Sequence, residues 1–366
     1  MLWNFEINRT GTMNLQSDQS IAVANRDINP SEQLADAYPE LACLVRNEAV
    51  SAAFARYENM AVRWKRIYIF FGRLSLIAIL LAMIIFDYQI TLKNLYGAPD
   101  FLASLGALFA ATGLISQTVI GLTHAKDRWQ SARFGAERLR CFKFQLFTVL
   151  EEAPHPESLA PLVRQRTSEG IAALEVELMG GRASIMEFSP FHAIALPKKR
   201  PAHASRAVVE SAVAIYDILR FSVESQHFED KFHEHNRRAK FPSLLSEFSF
   251  GAGAILACIG ILIAGLPQGW TISKILTASV YIDWLNFMTW LLFVLSAIIA
   301  IHERGSAHQQ NAERYLTYSH EIRRIRANAT SHIPASFFEA VRDMEHLMLR
   351  EIQDFCRDVR HSNYIF

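Results

Sequence analysis

The chain has 366 residues, 51% apolar and 20% charged, with a formal net charge of +1 and a mean hydropathy of +0.11. That mean is high for an ordinary soluble domain and low for a pure membrane bundle, so it describes a protein divided between bilayer and water. The near-neutral balance leaves no electrostatic footprint for nucleic acid, and direct nucleic-acid binding is not expected.

Residues 1–29 read as a polar tail without the apolar core of a secretory signal, so insertion is expected to use the first apolar run itself. From Ser31 a helical pattern of Leu34, Tyr38, Leu41, Leu44, Val45, Ala52 and Phe54 leads to that run, with Pro39 marking a first turn or a break. The run spans Ile67–Phe86, interrupted only by Arg73. A second run, Phe101–Thr123, follows a short loop, and a polar helix and a return helix close the segment. Met186–Leu196, between Gly180-Gly181 and Pro197, reads as a strand pair or as plain linker. The basic Lys198-Lys199-Arg200-Pro201 connector follows it. Then a helical pattern through Val208, Val213, Leu219, Phe228 and Phe232 leads to the runs Phe248–Ser273 and Trp284–Ile301. In the last segment Ser336 and Glu339 have capping-box spacing. Phe338, Val341, Met344, Leu347, Met348, Ile352 and Phe355 behind them form an amphipathic stripe.

Each apolar run approaches the ~20 residues that cross the ~30 Å core of a bilayer. Displacing 67–86 by 176 residues lands on the third run, and displacing 101–123 lands on the fourth. At the same offset Tyr57-Glu58 falls on His233-Glu234, and Ala136-Glu137-Arg138 falls on Ala312-Glu313-Arg314. The expectation is a tandem duplication. Repeat one is 30–182 with a hairpin at 67–123, the linker is 183–205, repeat two is 206–358 with a hairpin at 244–301, and 359–366 form a tail. The fold class is all-α: an integral membrane protein with four transmembrane helices in two repeated hairpins and long cytoplasmic helices.

Cations flank the outer ends of the runs: Arg63, Lys65 and Arg66, Lys126 and Arg128, Lys231, Arg237 and Arg238, and Arg304. Each hairpin loop holds a single lysine, Lys93 or Lys274. The positive-inside rule then puts both termini in the cytoplasm.

No phosphate loop, dinucleotide fingerprint or nucleophile elbow occurs, so neither catalysis nor a cofactor is expected. His233 and His235 point apart on a helix, and no metal site is expected there. Cys43, Cys141, Cys258 and Cys356 are scattered and read as inert thiols. Tyr57, Trp64 and Trp129 among cations read as anchors at headgroup level. Arg73 either snorkels to the interface or pairs within the membrane with Glu247. The stripe Gly253, Ala257, Gly260 and Ala264 on the third run is expected to pack helices. On the second run Gly106, Ala110, Thr112, Gly113, Ser116 and Gln117 either pack the hairpin or line a pore in an oligomer, and the greater polarity of that run assigns it to the pore.

The basic Arg63-Trp-Lys-Arg66, the two closely spaced runs, and the exit helix Trp129-Gln-Ser-Ala-Arg-Phe-Gly-Ala-Glu-Arg-Leu-Arg140 running into Phe142-Lys-Phe144 carry a resemblance. The segment 64–144 resembles the SLATT family, two-span membrane proteins of bacterial conflict systems. This implies a pore-forming homo-oligomer of the inner membrane, acting in antiviral defence beside a cytoplasmic sensor or nucleotide-signalling partner. The chain departs from the family pattern by carrying two copies and no recognisable nucleotide sensor. A secondary transporter built on parallel repeats, and a scaffold docking a cytoplasmic partner, remain the alternatives.

Overall fold

A computed structural model describes residues 25, 27–91, 100–153, 155–179, 205–264, 279–306, 308–329 and 334–361. Among them every regular element is helical. The segment Met186–Leu196 and most of both hairpin loops lie outside the described residues.

The chain enters through α1 (Glu32–Ala37), a 3₁₀ turn at Pro39–Leu41 and α2 (Ala42–Val45). Proline has no amide hydrogen to continue a helix, so the first helical pattern is broken at Pro39. Asn47 restarts it by accepting the Val50 amide at 3.2 Å, an N-cap for α3 (Glu48–Thr91). The 44 residues of α3 extend about 66 Å, twice the depth of a bilayer core. One buried stripe runs its whole length, and its chemistry changes on the way. Val50, Phe54, Glu58 and Ala61 pack into a polar body, Tyr68 stacks on Trp129, and Ser75 donates to Gly113 O of α4 (Asp100–Thr123), with Gly72, Ala78 and Ala82 buried on the same stripe. Small side chains there let the two backbones approach closely.

The second helix of the hairpin stops at His124, whose φ of 48° is left-handed, and α5 (Ala125–Gln145) leaves in a new direction. A 3₁₀ turn at Leu146–Glu151 leads to α6 (Pro156–Met179). The second half begins with α7 (Arg206–Tyr216), capped by the Ser205 hydroxyl on the Val208 amide at 3.4 Å. A π-turn at Asp217–Phe221 joins it to α8 (Ser222–Ala264). Then come α9 (Ser279–Ser306), α10 (His308–Ala329) and α11 (Pro334–His361).

The element order of the first half recurs in the second: long helix, apolar helix, exit helix, return helix. The last helix is already helical at Pro334, so Ser336 lies inside it and cannot be the N-cap of a capping box. The expected stripe on that helix is buried from Phe338 to Ile352.

Four of these helices, α3, α4, α8 and α9, are long and apolar enough to cross a membrane. They form two antiparallel pairs, and Tyr88 meets Phe287 edge-to-face at 6.5 Å where α3 touches α9. Their outer faces carry exposed Phe70, Ile77, Leu108, Leu114, Ile115, Phe248, Ile261 and Leu262. The polar ends behave differently. One contiguous core takes Leu44, Val50 and Phe54 from the first half and Ile322, Val341 and Met344 from the second. At its centre Tyr216 is ringed edge-to-face by Phe144, Phe147, Phe221 and Phe337 at 5.1–5.8 Å. The segments 30–182 and 206–358 therefore share one packed body.

Candidate functional site

On the apolar hairpins, the structure separates the residues singled out from sequence. Gly106, Gly113 and Ser116 are buried and turn toward α3. A Cβ on Gly106 would lie 3.1 Å from Ile85 Cγ2, and one on Gly113 only 2.7 Å from Ile79 Cγ1. These glycines serve the close approach of the hairpin, the packing alternative for this run. Ala110, Thr112 and Gln117 are half-buried at the edge of the contact. The Thr112 hydroxyl donates to Leu108 O one turn below. The Gln117 amide donates to Ser75 Oγ at 3.0 Å, and Ser75 donates to Gly113 O at 3.1 Å. Ser75 was not legible as a partner, because a lone serine in an apolar run gives no periodic signal.

Hairpin two is clasped similarly. Ser296 Oγ donates to Ser246 O at 3.0 Å, and Ser246 Oγ reaches Ser296 O at 3.3 Å. Gly253 and Gly260 face α9, where added Cβ atoms would meet Phe293 at 3.2 Å and Leu285 at 3.3 Å. Ala257 is half-buried beside them, while the side chain of Ala264 lies outside the description. Arg73 and Glu247 are both exposed. Arg73 stands about 7.5 Å along the helix from the interfacial Tyr68, within reach of a snorkelling side chain.

The polar body holds several of its charges inside. Arg138, Arg140 and Lys143 of α5 are buried. Arg140 donates to Asn25 Oδ1 at 2.7 Å and pairs with Asp27 at 3.2 Å and Glu137 at 3.3 Å. Lys143, with no exposed surface, donates to the carbonyls of Asp27 and Ile28 at 2.7 and 2.8 Å. Burial lowers the Lys143 ammonium to about 8, against the pull of Asp27. Burial also pushes the Glu137 carboxyl up, but Arg133 and Arg140 outweigh it and hold that group at about 2. These contacts pin residues 25–28 onto α5.

A second deeply buried cation is Arg220, 1% exposed, in the π-turn. It binds Glu345 in a fork at 2.9 and 2.8 Å, donates to Glu224 at 2.7 Å and lies 4.7 Å over the Phe144 ring. Tyr216 adds a bond to Glu345 at 2.7 Å. Burial pushes the Glu345 carboxyl up while Arg220 pulls it back. The extra residue of a π-turn shifts the helix register locally and turns the guanidinium inward. Breaking such a buried pair costs about 3–5 kcal/mol, because the survivor stays buried without its counter-ion.

Two smaller features lie where α5 and α10 leave the apolar hairpins. His235 is buried, with its Nδ1 2.9 Å from Nδ1 of His308, while His233 is exposed. Among the described residues no group of three His, Cys, Asp or Glu side chains converges for a metal. The four cysteines are free thiols, and burial raises Cys356 to about 12. At the base of hairpin one a cleft opens between α3, α5, α10 and α11. It is lined by Lys65, Trp129, Arg133, Tyr315, Glu351 and Phe355 among others.

Comparison with protein-family models, with characterised proteins and with solved structures gives no match for the chain.

Proposed function

We propose that this chain is an integral membrane effector that works as a homo-oligomer and breaches the bilayer in which its two hairpins lie. Supporting it are four helices of spanning length, their uncovered apolar faces, and cations clustered at the polar ends. The resemblance of residues 64–144 to the SLATT family supports a bacterial inner-membrane location and a role in antiviral defence, with the body facing the cytoplasm and receiving a signal there.

The observation that carries the reading is Gln117. Its amide nitrogen bonds Ser75, yet among the described residues its oxygen accepts no hydrogen bond at the half-open edge of α4. An amide oxygen in hydrocarbon needs a donor, and either water or a neighbouring copy supplies one. The wall of the pathway is accordingly the half-open edge of α4 that carries Gln117.

The test is conductance of the purified full chain in planar bilayers. Gln117→Leu is expected to remove conductance and leave insertion intact. Conductance equal to the wild type would take α4 out of the wall. A wild type that neither conducts nor releases a vesicle-trapped dye would turn the reading toward a scaffold whose body docks a cytoplasmic partner.

A further inference from the structure

The cleft at the base of hairpin one holds a cation, Lys65, that forms no ion pair among the described residues, though Glu58 and Glu234 act on it from farther away. Most charged groups around it are engaged. Arg133 pairs with Glu58 at 3.1 Å and with Glu137, and Lys231 pairs with Glu234. Arg314 bonds Asn311 at 2.8 Å and also pairs with Asp358. Lys65 has no carboxylate within ion-pair distance among the described residues. Its ammonium lies 5.9 Å from the centroid of the Trp129 ring, a cation–π contact. An ammonium held against an aromatic wall without a counter-ion leaves a place for an anion.

The walls say what kind of anion fits. Trp129 is 3% exposed, stacked on Tyr68 at 5.9 Å and met edge-on by Phe355 at 6.0 Å. Ala61, Val62 and Ile352 complete an apolar lining beside Lys65. Glu351 also faces the cleft, and burial pushes its carboxyl up while Arg314 pulls it back. The level matters too. Lys65 lies two residues before the apolar run that starts at Ile67, and Trp129 lies four residues after the start of α5. Trp64, under the Arg128 guanidinium at 4.6 Å, marks the same level. Amphipathic rings and cations gather at this depth where phosphate headgroups lie.

We infer that this cleft binds a phosphate-bearing anion at the bilayer boundary, with Lys65 as its counter-ion and the rings of Trp129 and Phe355 as its apolar wall. Its position favours the headgroup of an anionic phospholipid. Because α3 and α5 form one side and α10 and α11 the other, the occupant ties the two halves of the chain together beneath hairpin one.

The experiment uses the full chain, delipidated in non-ionic detergent, with thermal unfolding followed at constant ionic strength. Short-chain phosphatidylglycerol, phosphatidylcholine of the same chain length, and pyrophosphate are titrated separately. Phosphatidylglycerol is expected to raise the Tm to a plateau, with the half-saturating concentration at least ~10-fold higher in Lys65→Met and within ~3-fold of wild type in Lys65→Arg. A plateau with pyrophosphate alone, lost in Lys65→Met, supports the site with a soluble phosphate as the source. No plateau with either anion, or an unchanged one in Lys65→Met, overturns the proposal. Should Lys65→Met fail to fold, acylation of lysines in the wild type decides. Selective protection of Lys65 by the saturating anion supports the site, and equal labelling with and without it overturns the site.

Discussion

Arg133, Glu137, Arg140 and Lys143 occupy successive turns of α5, a spacing that on a surface helix would make a solvated ladder worth a few tenths of a kcal/mol per pair. Here the ladder is inside, and each member depends on its neighbours. Glu137 shows the dependence in its ionisation. Its carboxyl is held at about 2 in the fold against an ordinary 4.5, so it stabilises the native state fully above pH 4.5. That contribution drains away as pH falls from 4.5 toward 2, because the unfolded chain then binds the proton first. Glu137→Gln is expected to lower stability at pH 7 by about 2–3 kcal/mol, since Arg133 and Arg140 each lose a charged acceptor. Thermal unfolding of wild type and variant in detergent should converge as pH approaches 2. A gap between them that is the same at pH 7 and pH 2.5 would show that the loss is one of packing and not of charge.

At the scale of the element, α3 packs against a polar body at one end and an apolar helix at the other. The stripe on α3 keeps its spacing of three and four residues while its members shrink from Phe54 to Ala82. Leucine zipping works where water drives association, but in lipid the gain comes from close backbone contact. Gly113 is the closest point. Gly113→Leu is expected to force Ile79 aside, spread the hairpin and cut the yield of monodisperse protein severalfold. Gly121→Leu is the internal control, because nothing lies within 4 Å of its added Cβ. Size-exclusion chromatography of the two variants reads the difference, and equal yields would mean the α3–α4 contact is not tight. The turn that ends the hairpin is set by one residue, His124, in a left-handed conformation that costs an L-residue about 1–2 kcal/mol.

For the whole molecule, the arrangement is two apolar hairpins standing on one charged, closely packed body. Orientation follows from charge if the cations stay where they are made. Single cysteines at Asn94 and Gln268, in a background without Cys43, Cys141, Cys258 and Cys356, are expected to react with an impermeant maleimide in intact cells. Cysteines at Ser158 and Ser331 are expected to react only after lysis. Reaction of position 158 in intact cells would put the body outside and reverse the assignment.

The all-helical class and the four apolar helices were legible from the sequence, because hydropathy over ~20 residues is a local property and needs no partner to be read. The break at Pro39 and the stripe on α11 were legible for the same reason. The partners were not. Nothing local distinguishes Arg220 from a solvated arginine paired with Glu224 one turn on, since Glu345, which it is buried against, lies 125 positions away. The glycines of α4 could be wall or seam from sequence, and Ile79 and Ile85 lie over them in the fold. The sequence by itself determined which segments are helical and which seek an apolar medium. Which charges are buried, which helix faces meet, and that both halves share one core were decided only by tertiary packing, because those are properties of pairs far apart in the chain.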